Sequence, residues 1–155
     1  MTNDAIIGIS PGLKRGAVVV ARKLIIREHP WIGVAEAAEF VRTTVNYFKE
    51  TGNRTVKAVI ENRSARGTGM GAQYTSMGIW IGILAANEVP FELVSMQRWK
   101  RHFLNANPKM SEYERKTLSR KLWLPVPTFS EPCIEAAIVA RYGQEVTWKE
   151  ALTNG

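Results

Sequence analysis

Three carboxylates and one hydroxyl, Glu61, Glu131, Glu135 and Ser10, occupy positions where backbone elements are expected to begin or end. Ser10 closes the apolar run Ile6-Ile7-Gly8-Ile9 just before Pro11-Gly12, and Glu61 closes a second run, Val56-Lys57-Ala58-Val59-Ile60. Glu131 and Glu135 are four apart, a spacing that gives them one face of a helix, where like charges repel by roughly a few tenths of a kcal/mol. A divalent cation reverses the sign of that interaction. Oxygen ligands of this kind select Mg²⁺ or Mn²⁺ over zinc, and neither His29 nor His102 has a partner at metal-ligand spacing. The plainer reading of Glu131 and Glu135 is an acidic helix start that complements the helix dipole.

Ser10 and Glu61 meet only if the strands that carry them are neighbours. Three short β-rich runs, about 5–9, 16–21 and 24–27, are joined by tight turns and predict an antiparallel meander. Ala37, Val41, Thr44, Val45 and Phe48 recur at helical spacing over 34–50, which predicts an amphipathic crossover helix. The run 56–60 then returns as a fourth strand beside the first. Residues 62–71 hold Gly67, Gly69 and Gly71 among polar side chains, the composition of a polar loop. Beyond it a helix over 74–84 is apolar nearly all round, hence buried, and Gly78 and Gly82 allow close backbone approach at the core or at a subunit contact. A fifth strand is expected at 91–94. Ser95 can cap a helix to about 103, Ser111 opens a capping box for one to about 122, and Ser130 can cap a last helix over 131–142. The expected fold is α/β, a mixed sheet of five strands with helices on both faces, in one domain spanning 1–155.

A chain of 155 residues, 45% hydrophobic, is long enough for one core and short for two. The balance of 21 Lys+Arg against 14 Asp+Glu gives +7, a charge that favours polyanionic partners. The lone Cys133 cannot form an intrachain disulfide, and no run of about 18 apolar residues and no charged-then-apolar leader is found. A reducing, cytoplasmic setting is the expectation, with no membrane partner.

Taken together, Ile-Gly-Ile-x-Pro-Gly at the start, Val-Ile-Glu61 followed by a Gly-rich loop, Trp80-Ile-Gly-Ile-Leu, Val-Pro-Phe-Glu-Leu-Val leading into Gln97-Arg98-Trp99-Lys100, and Glu131-x-x-x-Glu135-Ala-Ala-Ile-Val-Ala resemble the RuvC-type Holliday junction resolvases of the RNase H-like superfamily, most of all the short phage-type members. The resemblance spans roughly residues 5 to 143. It implies an RNase H-like fold and an acidic quartet: an Asp on the first strand, a Glu on the fourth, and two acids, or a His and an Asp, on the last helix. Glu61, Glu131 and Glu135 match that pattern, and Ser10 stands where it has Asp. It further implies two Mg²⁺ (or Mn²⁺) ions per site, hydrolysis of phosphodiesters to 5′-phosphate and 3′-hydroxyl, and a homodimer that resolves four-way DNA in recombination and repair. A hydroxyl is a poorer Mg²⁺ ligand than a carboxylate, so cleavage by the Ser10 chain is expected to be weak or absent.

Between Arg98 and Lys121 lie eight Lys/Arg and two acids. Arg98, Lys100, Arg101, Arg115 and Lys116 are candidate phosphate contacts, against the plainer reading of a solvated helix face. Arg63, Arg66, Met70 and Tyr74 flank the Gly-rich loop, where an apolar or aromatic tip could stack on bases; for Tyr74, packing within the helix is an equal alternative. Trp99 and Trp148 are expected to pack. Two other functions stay open: a branched-DNA-binding protein without catalysis, and an RNase H-like nuclease acting on flaps or RNA–DNA hybrids.

Overall fold

The structure, a computed structural model, describes residues 5–12, 17–22, 25–30, 33–52, 55–62, 70–104, 111, 114 and 131–148; at 17–22, 25–30, 70, 72–73, 100, 104 and 131–134 the description extends to the backbone alone. Strands β1 (Ala5–Ser10), β2 (Ala17–Arg22) and β3 (Ile25–Pro30) form an antiparallel meander, β1 pairing with β2 and β2 with β3. Helix α1 (Val34–Gly52) crosses over, and β4 (Val56–Asn62) returns parallel to β1. Helix α2 (Met70–Ala86) leads to β5 (Phe91–Ser95), parallel to β4, and α3 (Met96–Leu104) follows at once. The sheet order is β3-β2-β1-β4-β5. Helix α4 (Glu131–Tyr142) continues into a π-helical turn, Gly143–Thr147. The expected Ser111 cap is present, Glu114 N donating to Ser111 Oγ at 3.1 Å. The rest of the helix predicted behind it and the loop predicted at 62–71 lie largely outside the described residues.

Strand alternation sorts the apolar residues onto two faces. Ala5, Ile7 and Ile9 of β1, with Val56, Ala58 and Ile60 of β4, face α1 and α2 and pack with Ala37, Val41, Phe48, Trp80, Ile83 and Leu84. Ile6, Val59 and Val94 face the other way, against Trp99 of α3 and Ala136 to Ala140 of α4. The α1 stripe follows the predicted spacing, with Ala37, Val41, Thr44 and Phe48 buried. Thr44 satisfies its hydroxyl by donating to the Phe40 carbonyl at 2.7 Å.

Helix α4 lies unusually close to β1. A Cβ added to Gly8 would stand 2.6 Å from both Cβ and N of Ala140, and closer still to the carbonyl oxygen of Ala136. At the far end of α4, a Cβ on Gly143 would come within 2.6 Å of Val59 Cγ2 and 2.9 Å of Ile6 Cγ2. The helix thus runs back along β1, its Glu135 end near the tip of the strand and its Gly143 end near the start.

Helix α2 departs from the all-round burial read in the sequence. Ser76, Trp80, Ile83 and Leu84 are buried, whereas Gly71, Tyr74, Thr75, Gly78, Gly82 and Ala85 are exposed. A helix that is apolar on every side carries no phase in its sequence, so the small residues Gly78 and Gly82 could be assigned either to the core or to a surface contact, and the structure places both against open space. Strand β3 is also longer than its apolar run, because pairing with β2 continues through Glu28, His29 and Pro30; proline is tolerated at an edge.

Gly8→Ala is expected to lower the unfolding free energy by about 3 kcal/mol, the upper end for overpacking, since backbone atoms of α4 would have to move. Gly71→Ala meets open space in a helix and is expected to be neutral or to stabilise by up to about 1 kcal/mol. Urea denaturation of both variants checks the contrast.

Candidate functional site

Ser10, the last residue of β1, pairs with Ala17 of β2 on one side. On the other side Ile9 pairs with Ile60, so the next step of the parallel register sets Ser10 beside Glu61. Side chains at equal register in neighbouring parallel strands point to the same face, here the face covered by α4. Ser10 is fully buried, and its Oγ donates to Glu135 Oε2 at 3.4 Å. Glu61 is 1% exposed and Glu135 3%. The structure therefore brings three of the four sequence-derived residues to one end of the sheet. Glu131 is the first residue of α4, one turn before Glu135, and its side chain lies outside the described residues.

Burying an ionised carboxylate costs several kcal/mol unless hydrogen bonds or opposite charge offset the loss of water. One such hydrogen bond was not foreseen. Trp99, fully buried on α3, donates through Nε1 to Glu61 Oε1 at 3.5 Å. Sequence reasoning placed Trp99 in the core, which is correct, but a donor 38 residues from its acceptor leaves no local pattern. Ser76 is a second unforeseen residue: buried on α2, its Oγ accepts from Gly12 N at 2.9 Å and ties the chain leaving β1 to that helix.

The donor set of two carboxylates and a hydroxyl consists of hard oxygens and fits Mg²⁺ or Mn²⁺ in kind. Among the described residues no three His, Cys, Asp or Glu side chains gather as a metal cluster. Position 10 adds a hydroxyl and no carboxylate to this set.

Of the nucleic-acid candidates, Tyr74 is 48% exposed on α2, so it does not pack within its helix. Arg98 and Arg101 are exposed on α3, whose first turn is capped by Ser95 Oγ accepting from Arg98 N at 3.3 Å. Met70 begins α2 and Lys100 lies within α3, both described by backbone alone. Arg63, Arg66, Arg115 and Lys116 lie outside the described residues. His102, exposed, stands with Nε2 3.2 Å from Glu145 Oε2 and edge-on to Phe103 and Tyr142.

The sequence matches no protein-family model and no curated protein. Among solved structures, Thermus thermophilus RuvC in complex with Holliday junction substrate superposes with a TM-score of 0.62 at 13% identity, covering 88% of this chain and 90% of that one. A second Thermus thermophilus RuvC structure gives 0.61 at 15% identity, over 90% of this chain and 95% of that one. The fold is RuvC-like. Within this RuvC-like fold the buried carboxylates Glu61 and Glu135 sit at the carboxyl ends of parallel strands β1 and β4, the end at which α/β sheets gather ligands. No helix among the described residues is long and apolar enough to cross a membrane.

Proposed function

We propose that this protein recognises four-way or otherwise branched DNA, and that its site is built for metal-dependent hydrolysis of phosphodiesters at such junctions. The observation that carries the proposal is the burial of Glu61 and Glu135 around Ser10 at the end of the sheet. The RuvC-like fold supports it, since one similar structure holds a Holliday junction substrate.

In this reading Glu61 and Glu135 are metal ligands, Glu131 joins them from the preceding turn of α4, and position 10 is the place of a fourth ligand. Mg²⁺ or Mn²⁺ bound there, two ions in the full quartet, would activate a water and stabilise the leaving oxygen. The chain's own residues hold the strand to be cut. Arg98 and Arg101 face outward from α3, where their guanidinium groups can take phosphates, with Lys100, Arg63, Arg66, Arg115 and Lys116 as further cationic contacts. Tyr74, exposed at the start of α2, offers a ring for an unpaired base, and Met70 precedes it by one turn. The outer side of α2, with Gly78 and Gly82 open to solvent, is the surface at which two copies would meet, giving two sites for two symmetric strands of the four. The surrounding setting is cytoplasmic.

Ser10 favours a second reading in which the chain binds junctions and does not cut them. The two readings part at one substitution. With Mg²⁺ or Mn²⁺ at low salt, Ser10→Asp is expected to give paired nicks in a labelled four-way junction and none in a linear duplex, while the Ser10 chain gives few or none. Junction binding without cleavage by either protein supports the binding-only reading. Equal affinity for the junction and for a duplex of the same length would count against junction recognition altogether.

Arg98→Ala and Arg101→Ala are each expected to reduce the slope of log affinity against log salt by about 1, the signature of one lost phosphate contact; a salt titration of junction binding checks this. Light scattering at micromolar concentration is expected to return twice the 17.4 kDa chain mass, and the monomer mass would remove the dimer from the proposal.

A further inference from the structure

The side chain that Glu61 touches on α3 has a role that packing alone does not require. Trp99 is fully buried, and a tryptophan whose only task was to fill volume could present any edge of its ring to the sheet. It presents Nε1, its only polar atom, to Glu61 Oε1 at 3.5 Å. The terminal torsion of a glutamate is broad, so a donor at one oxygen restricts how the carboxylate plane can turn.

The donor itself is firmly held. Helix α3 is capped at its start by Ser95. Three residues after Trp99, His102 Nε2 meets Glu145 Oε2 at 3.2 Å, while Arg141 Nε donates to Glu145 Oε1 at 2.8 Å. Arg141 is on α4 and Glu145 in the turn that continues it, so these contacts join α3 to the helix that carries Glu135. The ring of His102 is also edge-on to that of Tyr142, at 5.5 Å between centroids. Trp99 and Glu135 are therefore fixed in one frame, and Glu61 is oriented relative to Glu135 through it.

We propose that Trp99 is a positioning residue: its indole N–H sets the orientation of the Glu61 carboxylate, and with it the strength with which the site holds a divalent cation. The role of Glu61 as a metal ligand rests on the function proposed above; the orientation of Glu61 by Trp99 does not. Hydrogen-bond partners of metal ligands typically contribute about 10- to 100-fold to metal affinity.

The test joins a binding measurement to a spectroscopic one. The chain has five tryptophans, hence five indole N–H resonances in a ¹H–¹⁵N spectrum, and that of Trp99 is identified by its disappearance in Trp99→Phe. In Glu61→Gln, which leaves Trp99 in place and exchanges the carboxyl acceptor for a carboxamide, the Trp99 resonance is expected to move while that of Trp148, whose Nε1 donates to the Ala58 carbonyl at 3.3 Å, stays near its place. By calorimetry, Trp99→Phe is expected to raise the Mn²⁺ dissociation constant about 10- to 100-fold, and Trp148→Phe to leave it within about twofold of the parent. A Trp99 resonance that is unmoved by Glu61→Gln overturns the proposal; should Trp99→Phe fail to fold, five indole resonances that all keep their places in Glu61→Gln overturn it equally. A resonance that moves while Trp99→Phe binds Mn²⁺ as tightly as the parent also overturns it. A parent chain that binds no Mn²⁺, with the resonance still displaced by Glu61→Gln, removes the metal from the proposed function and supports Trp99 as the orienting partner of a buried carboxylate.

Discussion

The contact on which the rest of the site depends is the one between α4 and Gly8. A helix normally stands off a sheet by the thickness of the side chains between them. Here the strand residue beneath the helix has none, and Ala136 and Ala140 supply the smallest side chains on the helix side. The backbone of α4 is thereby brought down onto β1, and a carboxylate one residue before Ala136 reaches a hydroxyl two residues after Gly8. A larger residue at position 8 would lift Glu135 away from Ser10 and leave both polar groups without the contact that helps to offset their burial.

Around that contact the chain solves a problem common to polar sites inside a core. Glu61 and Glu135 are both nearly removed from water, and each carboxylate is met by a donor from a different element, the indole of Trp99 and the hydroxyl of Ser10. These donors are rigid or short, so they cost little side-chain entropy to hold in place. Ser76 extends the arrangement to the opposite face of the sheet by fixing Gly12. The result is a polar end on a sheet whose described residues pack with apolar side chains on both faces.

Much of this was legible in the sequence because it is periodic or punctuated. The runs ending in Ser10 and Glu61, the 37–41–44–48 stripe, and the four-residue interval between Glu131 and Glu135 are local signals, and a parallel return of the fourth strand beside the first follows from a crossover helix. What escaped was of two kinds. The orientation of α2 about its own axis was hidden by uniform apolarity, so the sequence left Tyr74 between packing and exposure and Gly78 and Gly82 between core and surface contact, and the structure exposes all three. The partnerships Trp99 with Glu61 and Ser76 with Gly12 join residues 38 and 64 apart, and nothing in the spacing of either pair announces the other member.

The bond from Gly12 to Ser76 has a bearing on how such a molecule can change over time. It pins α2 to the exit of β1, while Asn62 remains paired with Ser95 at the end of β4. The span between Asn62 and the start of α2 is thus bounded by two anchored points, and neither anchor depends on how many residues separate them. Doubling the length of such a span costs only about 0.6 kcal/mol in closure entropy. A change in the number of residues there leaves both anchors in place, and with them the strand register that sets Glu61 beside Ser10.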